Sequence, residues 1–185
     1  MVPLNVPNLL TVVRMLLVPV VIVALLEKSG SGDLLAAIVF ATASLTDAID
    51  GYLARSRDWV TTFGKLMDPI ADKLLIVAAL IALVSLGRLE AWVAMVIISR
   101  EFAVTALRIG AGAQGVVIAA SPLGKLKTAS QVVMVMVLIA VHGHPLWASL
   151  LVYVTVLITV VSGADYFFGA SRRRVEPGPA ARVNR

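Results

Sequence analysis

The chain has 185 residues, 59% of them hydrophobic, with a formal net charge of +5 and no cysteine. A mean hydropathy of +0.95 excludes an ordinary soluble domain and points to an integral membrane protein, while the lack of cysteine excludes disulfides and thiol chemistry. The positive balance is not read as a nucleic-acid surface, because the cations are divided unevenly between polar connections on two sides of a membrane.

In chain order, "VPNLL" predicts a short interfacial segment before a first apolar run at about Leu9 to Leu26. That run is read as a span rather than a signal peptide, since no small-residue cleavage site follows and further spans do. "EKSGSGD" is a turn, and a second run covers Leu34 to Ala54. "RSRDWVTTFGK" connects it to a third run at Leu66 to Leu86, which "GRLE" ends before a fourth at Trp92 to Leu107. The glycine-rich "RIGAGAQGVVIAASPLGKLK" is the longest connection, and long connections tend to be functional. A fifth run at Ala129 to Val141, the turn "HGHP" and a sixth run at Leu146 to Phe168 complete the series.

The expectation is an all-α polytopic membrane protein with six transmembrane helices. Residues 1–170 form one membrane domain, and 171–185, "SRRRVEPGPAARVNR", form a basic, disordered cytoplasmic tail near anionic headgroups. Lys28 and Arg88 fall beside the outward turns. Arg55, Arg57, Lys65, Arg108, Lys125, Lys127 and Arg172 to Arg174 fall on the other side, which the positive-inside rule makes cytoplasmic. His142 and His144 are read as outer turn residues, and Trp59, Trp92 and Trp147 as interface anchors. Ala36, Ala37, Ala41 and Ala43 are expected to let helices approach closely.

The stretch "DAIDGYLARSRDWVTTFGKLMDPIADK", Asp47 to Lys73, concentrates acid in this apolar chain. On helices, Asp47 and Asp50 share one face and so do Asp68 and Asp72. Gly51 and Ala54 lie beside the first pair and Gly64 one turn before the second, so each carboxylate pair borders residues with almost no side chain. Carboxylates near a bilayer are costly unless paired, wet or bound to a cation. The plainer reading is a set of salt bridges to Arg55, Arg57, Lys65 and Lys73. Four carboxylates on two neighbouring helices instead suit a hard divalent ion such as Mg2+ or Mn2+, which completes its shell with substrate phosphate oxygens.

The pattern Asp47-x2-Asp50-Gly51-x2-Ala54-Arg55-x8-Gly64-x3-Asp68-x3-Asp72 resembles the complete signature of the CDP-alcohol phosphatidyltransferase family. The signature covers the second and third helices, and six helices with inward termini fit the family across nearly the whole chain. The resemblance implies the CDP-alcohol phosphotransferase fold, a CDP-linked lipid donor and divalent metal. Asp47, Asp50, Asp68 and Asp72 would be metal ligands, with Asp72 also the general base. Gly51, Ala54 and Gly64 would line the cytidine site, with Arg55 near its phosphates. Two ions per site and one carboxylate near the attacking hydroxyl would serve an alcohol displacing CMP from a phosphoanhydride.

For the acceptor, Arg100 in "SREF", Arg108 two turns later, and Lys125 and Lys127 in "GKLK" suggest a phosphate-binding group, against the plainer reading of an Arg100–Glu101 ion pair and ordinary inside-positive loop charges. Within the family, "PNLLTVVR", "SREF" and "GKLKT" resemble the branch that joins CDP-diacylglycerol to sn-glycerol 3-phosphate, giving phosphatidylglycerophosphate. Asn8, Thr11 and Arg14, on one face of the first helix, would then serve the nucleotide or the fold, the alternative being a cap and interfacial anchor. Inositol phosphate or phosphatidylglycerol as acceptor, and a proton-coupled transporter, are the alternatives. The expected setting is the inner cell membrane with the site facing the cytoplasm, in a homodimer embedded in the lipid bilayer.

Overall fold

The computed structural model describes residues 6–27, 30–57, 62–113 and 121–172; within the helices, side chains at 6–10, 47–57, 62–72, 113 and 169–172 lie outside the description. The described residues form six α-helices: α1 (Val6–Leu26), α2 (Gly30–Arg57), α3 (Thr62–Ser85), α4 (Ala91–Ala113), α5 (Pro122–Ala140) and α6 (Leu146–Arg172). At 1.5 Å per residue these helices are roughly 28 to 42 Å long, enough to cross a hydrocarbon core of about 30 Å. By composition as well as length, α5 and the Leu146–Phe168 part of α6 are apolar enough to span.

Helix limits differ from the apolar runs where backbone hydrogen bonding continues through polar sequence. Pro7 to Leu10 belong to α1 rather than to a separate interfacial segment. The expected long connection after Arg108 is shorter, because α4 continues through its glycines to Ala113 and α5 begins at Pro122. Ser121 starts α5 as an N-cap, its Oγ accepting from the Gly124 backbone N–H at 3.1 Å, with Pro122 in the first turn where a missing N–H costs nothing. Residues 173–185, most of the expected basic tail, lie outside the described residues.

The helices pack with α1 against α2 and α3, α2 and α6 against α5, and α4 against α6 and α3. The core joins Val21 and Leu25 of α1, Phe40 of α2, Leu80 and Leu83 of α3, Ile97 of α4 and Met134 and Ile139 of α5. Small residues set the helix spacing: Ala36 and Ala43 are fully buried on α2, as are Ala79 and Ala82 on α3. In lipid this matters more than the hydrophobic effect, because association rests on close packing and internal polar contacts. The outside is apolar, with Val23, Met95, Leu157 and Phe168 each more than half exposed. The inside carries Thr11, Arg14, Glu101, Lys127, Gln131, Thr159 and Ser162. This inversion of the soluble pattern is what a lipid solvent selects.

One end of the bundle is locked by Asp33 in the first turn of α2. Arg88 donates to both carboxylate oxygens at 2.9 Å and to the Ile139 carbonyl at 3.0 Å, while His142 Nε2 lies 2.7 Å from Asp33 Oδ2. Three connections are thereby drawn together: those before α2, between α3 and α4, and between α5 and α6. Left-handed glycines make this possible. Gly87 (φ 70°) ends α3 in a Schellman motif, with Arg88 N–H on the Leu83 carbonyl, and Gly143 (φ 88°) turns the chain immediately after His142. His142 is thus more than the turn residue expected from its position.

Replacing Arg88 with methionine strands the buried Asp33 carboxylate and should lower stability by about 3 kcal/mol, read as a lower thermal unfolding midpoint in detergent. Asp33→Asn in the same background should restore part of the loss, since the buried charge is then gone. An unchanged midpoint for Arg88→Met would show that the lock contributes nothing.

Candidate active site

The end of the bundle opposite the Asp33 lock carries the aspartate motif. Asp47, Asp50, Gly51, Ala54 and Arg55 occupy the last turns of α2, and Gly64, Asp68 and Asp72 the first turns of α3. Asp47 lies about 21 Å from Asp33 along α2 at 1.5 Å per residue. Arg57 and Thr62 are separated by a connection that can span at most roughly 18 Å, which bounds the distance between the end of α2 and the start of α3. Both carboxylate pairs lie on continuous helix at three- and four-residue spacing, which places each pair on one helical face. Their side chains, with those of Ala54 and Arg55, are outside the described set.

Immediately after Asp72 begins a cluster of charges inside the bundle. Lys73 Nζ donates to Glu101 Oε2 at 3.0 Å, and Arg100 reaches Glu101 Oε1 at 3.3 Å. Lys127 Nζ donates to the same Oε1. One carboxylate from α4 is therefore shared by cations from α3, α4 and α5. Glu101 is buried, with only 6% of its side chain exposed, as is Lys127; Arg100 is 11% exposed and Lys73 20%. Helix α6 closes the fourth side: Arg100 donates to Ser162 Oγ at 2.7 Å, and its guanidinium lies 5.9 Å from the Tyr166 ring centroid. Gly163 leaves room for this arginine, since a Cβ there would stand 3.1 Å from Arg100 Cγ. Tyr166 Oη also accepts the Ser121 backbone N–H at 3.2 Å, fixing the start of α5, and hence Lys127, relative to α6.

Of the four cations expected at an acceptor phosphate, the structure brings Arg100 and Lys127 together on Glu101. Arg108 and Lys125 are exposed on α4 and α5, and neither forms an ion pair among the described residues. The interfacial-anchor alternative for Thr11 and Arg14 does not hold, because both are buried on α1, three residues apart on one face; the Asn8 side chain lies outside the described set.

Sequence reasoning assigned Arg100 to the acceptor phosphate and saw Glu101 only as its local ion-pair partner in the plainer reading. It missed Lys73, Ser162 and Tyr166. The signal was present in "SGADY", where a serine and a glycine interrupt an apolar helix at the depth of an arginine on another helix. An open depression lined by Leu86, Gly87, Arg88, His142, Gly143 and His144 belongs to the opposite, locked end and not to this site.

A profile of CDP-alcohol phosphatidyltransferases matches residues 4–161. The CDP-diacylglycerol--glycerol-3-phosphate 3-phosphatidyltransferase of Bacillus subtilis (strain 168) is 44% identical over 181 residues, covering 88% of this chain and 93% of the relative. A probable phosphatidylglycerophosphate synthase of Mycobacterium tuberculosis (strain ATCC 25618 / H37Rv) is 42% identical over 173 residues, covering 91% and 82%. In Rickettsia felis (strain ATCC VR-1525 / URRWXCal2) a CDP-diacylglycerol--glycerol-3-phosphate 3-phosphatidyltransferase is 34% identical over 169 residues, covering 88% and 93%. With its aspartate signature borne on two consecutive helices and this match running through nearly its whole length, the chain belongs to the CDP-alcohol phosphatidyltransferase family.

Proposed function

We propose that this protein transfers the phosphatidyl group of CDP-diacylglycerol to sn-glycerol 3-phosphate, giving phosphatidylglycerophosphate and CMP. The observation that carries the reading is the adjacency of two charge systems on α3: the last aspartate of the signature, Asp72, is followed directly by Lys73, which opens the cationic cluster around Glu101. The first system suits a phosphoanhydride and the second a phosphate-bearing acceptor. The relatives named for this same transfer support the choice of substrates.

In the reaction the acceptor hydroxyl oxygen bonds to the phosphatidyl phosphorus, and the bond from that phosphorus to the CMP oxygen breaks. Asp72 takes the hydroxyl proton. Gly51, Ala54 and Gly64 let the cytidine approach the backbone closely, and Arg55 meets its phosphates. Arg100 and Lys127, with Arg108 and Lys125 nearer the surface, hold the acceptor phosphate and so orient its free hydroxyl. Asp47, Asp50, Asp68 and Asp72 would supply an all-oxygen donor set from two consecutive helices, a chemistry that fits Mg2+ or Mn2+. Two such ions, when bound, neutralise the charge on the phosphoanhydride oxygens.

The catalytic unit is the six-helix domain, with the aspartate end facing the cytoplasm at the inner leaflet of the cell membrane and the donor's acyl chains in lipid. The surplus of Lys and Arg in the connections at that end supports this orientation. A homodimer is the proposed assembly.

The deciding experiment measures CMP release by purified protein given CDP-diacylglycerol, Mg2+ and one acceptor at a time: glycerol 3-phosphate, inositol phosphate, inositol, serine or phosphatidylglycerol. Release that depends on glycerol 3-phosphate alone is expected, and release with another acceptor instead would overturn the choice of substrate. Asp72→Asn should cut turnover by about 10²- to 10⁴-fold while the protein stays folded; near-normal turnover would remove Asp72 from the role of base. Chelation with EDTA should abolish CMP release and added Mg2+ or Mn2+ restore it, whereas full activity in chelator would exclude metal from the reaction.

A further inference from the structure

Among the described residues the cluster around Glu101 is electrically incomplete. Lys73, Arg100 and Lys127 all direct donors at a single carboxylate, so the described groups carry two positive charges more than negative ones. Their side chains are 6 to 20% exposed, and uncompensated charge at that depth is costly. Arg100 also keeps a buried Nε with no hydrogen-bond partner among the described residues, although its two terminal nitrogens are engaged by Glu101 and Ser162. An orphan donor beside a two-charge surplus calls for a dianion with several acceptor oxygens, which is the chemistry of a phosphate monoester.

From this geometry we propose that Glu101 is a positioning residue of the acceptor site, and that Lys73 is a cation of that site together with Arg100 and Lys127. The inference deepens the acceptor reading given above and rests on it. Left alone, the three cations would repel one another and turn to separate partners. Glu101 holds them from α3, α4 and α5 in one place, taking one charge's worth of their attraction and leaving two for the incoming phosphate. It touches no reacting atom. Its position one residue after Arg100 and its bond to Lys73 couple the acceptor phosphate to the helix that carries Asp72, so the hydroxyl is presented to the base by the same element that holds the phosphate.

The alternative role is structural: Glu101 could merely neutralise buried cations and keep the bundle together. The two roles differ in what they do to the two substrates. In the full-length protein, Glu101→Gln preserves shape and removes the charge, and it should raise the KM for glycerol 3-phosphate about tenfold or more while the KM for CDP-diacylglycerol stays within about twofold. Inorganic phosphate should inhibit the wild-type protein competitively against glycerol 3-phosphate and do so more weakly in the variant. Lys73→Met leaves the buried Glu101–Lys127 pair intact and should give the same split between acceptor and donor, so it decides the matter should the glutamine variant not fold. A fall in folded fraction with both KM values unchanged, or an equal rise in both, would overturn the proposal.

The acceptor panel run on the wild-type protein separates this outcome from a failure of the substrate assignment. A phosphorylated acceptor other than glycerol 3-phosphate would replace the substrate while the variants were still scored against it. An acceptor without phosphate would overturn the role given to Glu101 as well.

Discussion

The interior of this bundle depends on one buried carboxylate satisfied by three cations. In a bilayer the helices gain little from burying apolar surface against each other, since lipid is as apolar as leucine, and internal polar contacts must be complete because no water can complete them. Glu101 supplies such contacts to α3, α4 and α5 at once, and Arg100 extends them to α6 through Ser162 and Tyr166. Ser121 then borrows the Tyr166 hydroxyl, so that even the entry of α5 is referred back to the same cluster.

The opposite end solves the same problem with the signs reversed. There one cation, Arg88, serves the carboxylate of Asp33 and the end carbonyl of α5, and His142 takes the remaining side of Asp33. Both devices tie several helices to a single side chain, but they are built for different ends. The Asp33 lock pairs its charges and closes three turns. Among the described residues the Glu101 cluster instead carries more positive than negative charge, next in sequence to the aspartate motif.

The fold was largely legible in the sequence because lipid imposes a simple rule. Six apolar runs gave six helices, and the alanines at 36 and 43 proved to be buried packing positions. Boundaries were less legible, since helix propagation is decided by backbone hydrogen bonds and caps rather than by polarity: α4 runs through Gly110 and Gly112, and Ser121 with Pro122 starts α5 well before its apolar run. The aspartate motif was legible because its spacing lies within two helices. The cluster at Glu101 was not. Lys73 and Glu101 are 28 residues apart and Glu101 and Lys127 26, and no local spacing rule reaches that far.

By itself the sequence determined the solvent, the class of fold, the family signature and the two carboxylate pairs. The solvent, the class of fold and the carboxylate pairs follow from composition or from the period of a single helix, and the signature is a local pattern whose meaning comes from the family it resembles. Tertiary structure alone decided which buried charges meet. It made Glu101 the common partner of Lys73, Arg100 and Lys127, set Ser162 and Gly163 against an arginine on another helix, and turned His142 into a partner of Asp33. The physical reason is that an unpaired charge in a low-dielectric interior must find a counter-charge, and which one it finds depends on how the helices are arranged around it.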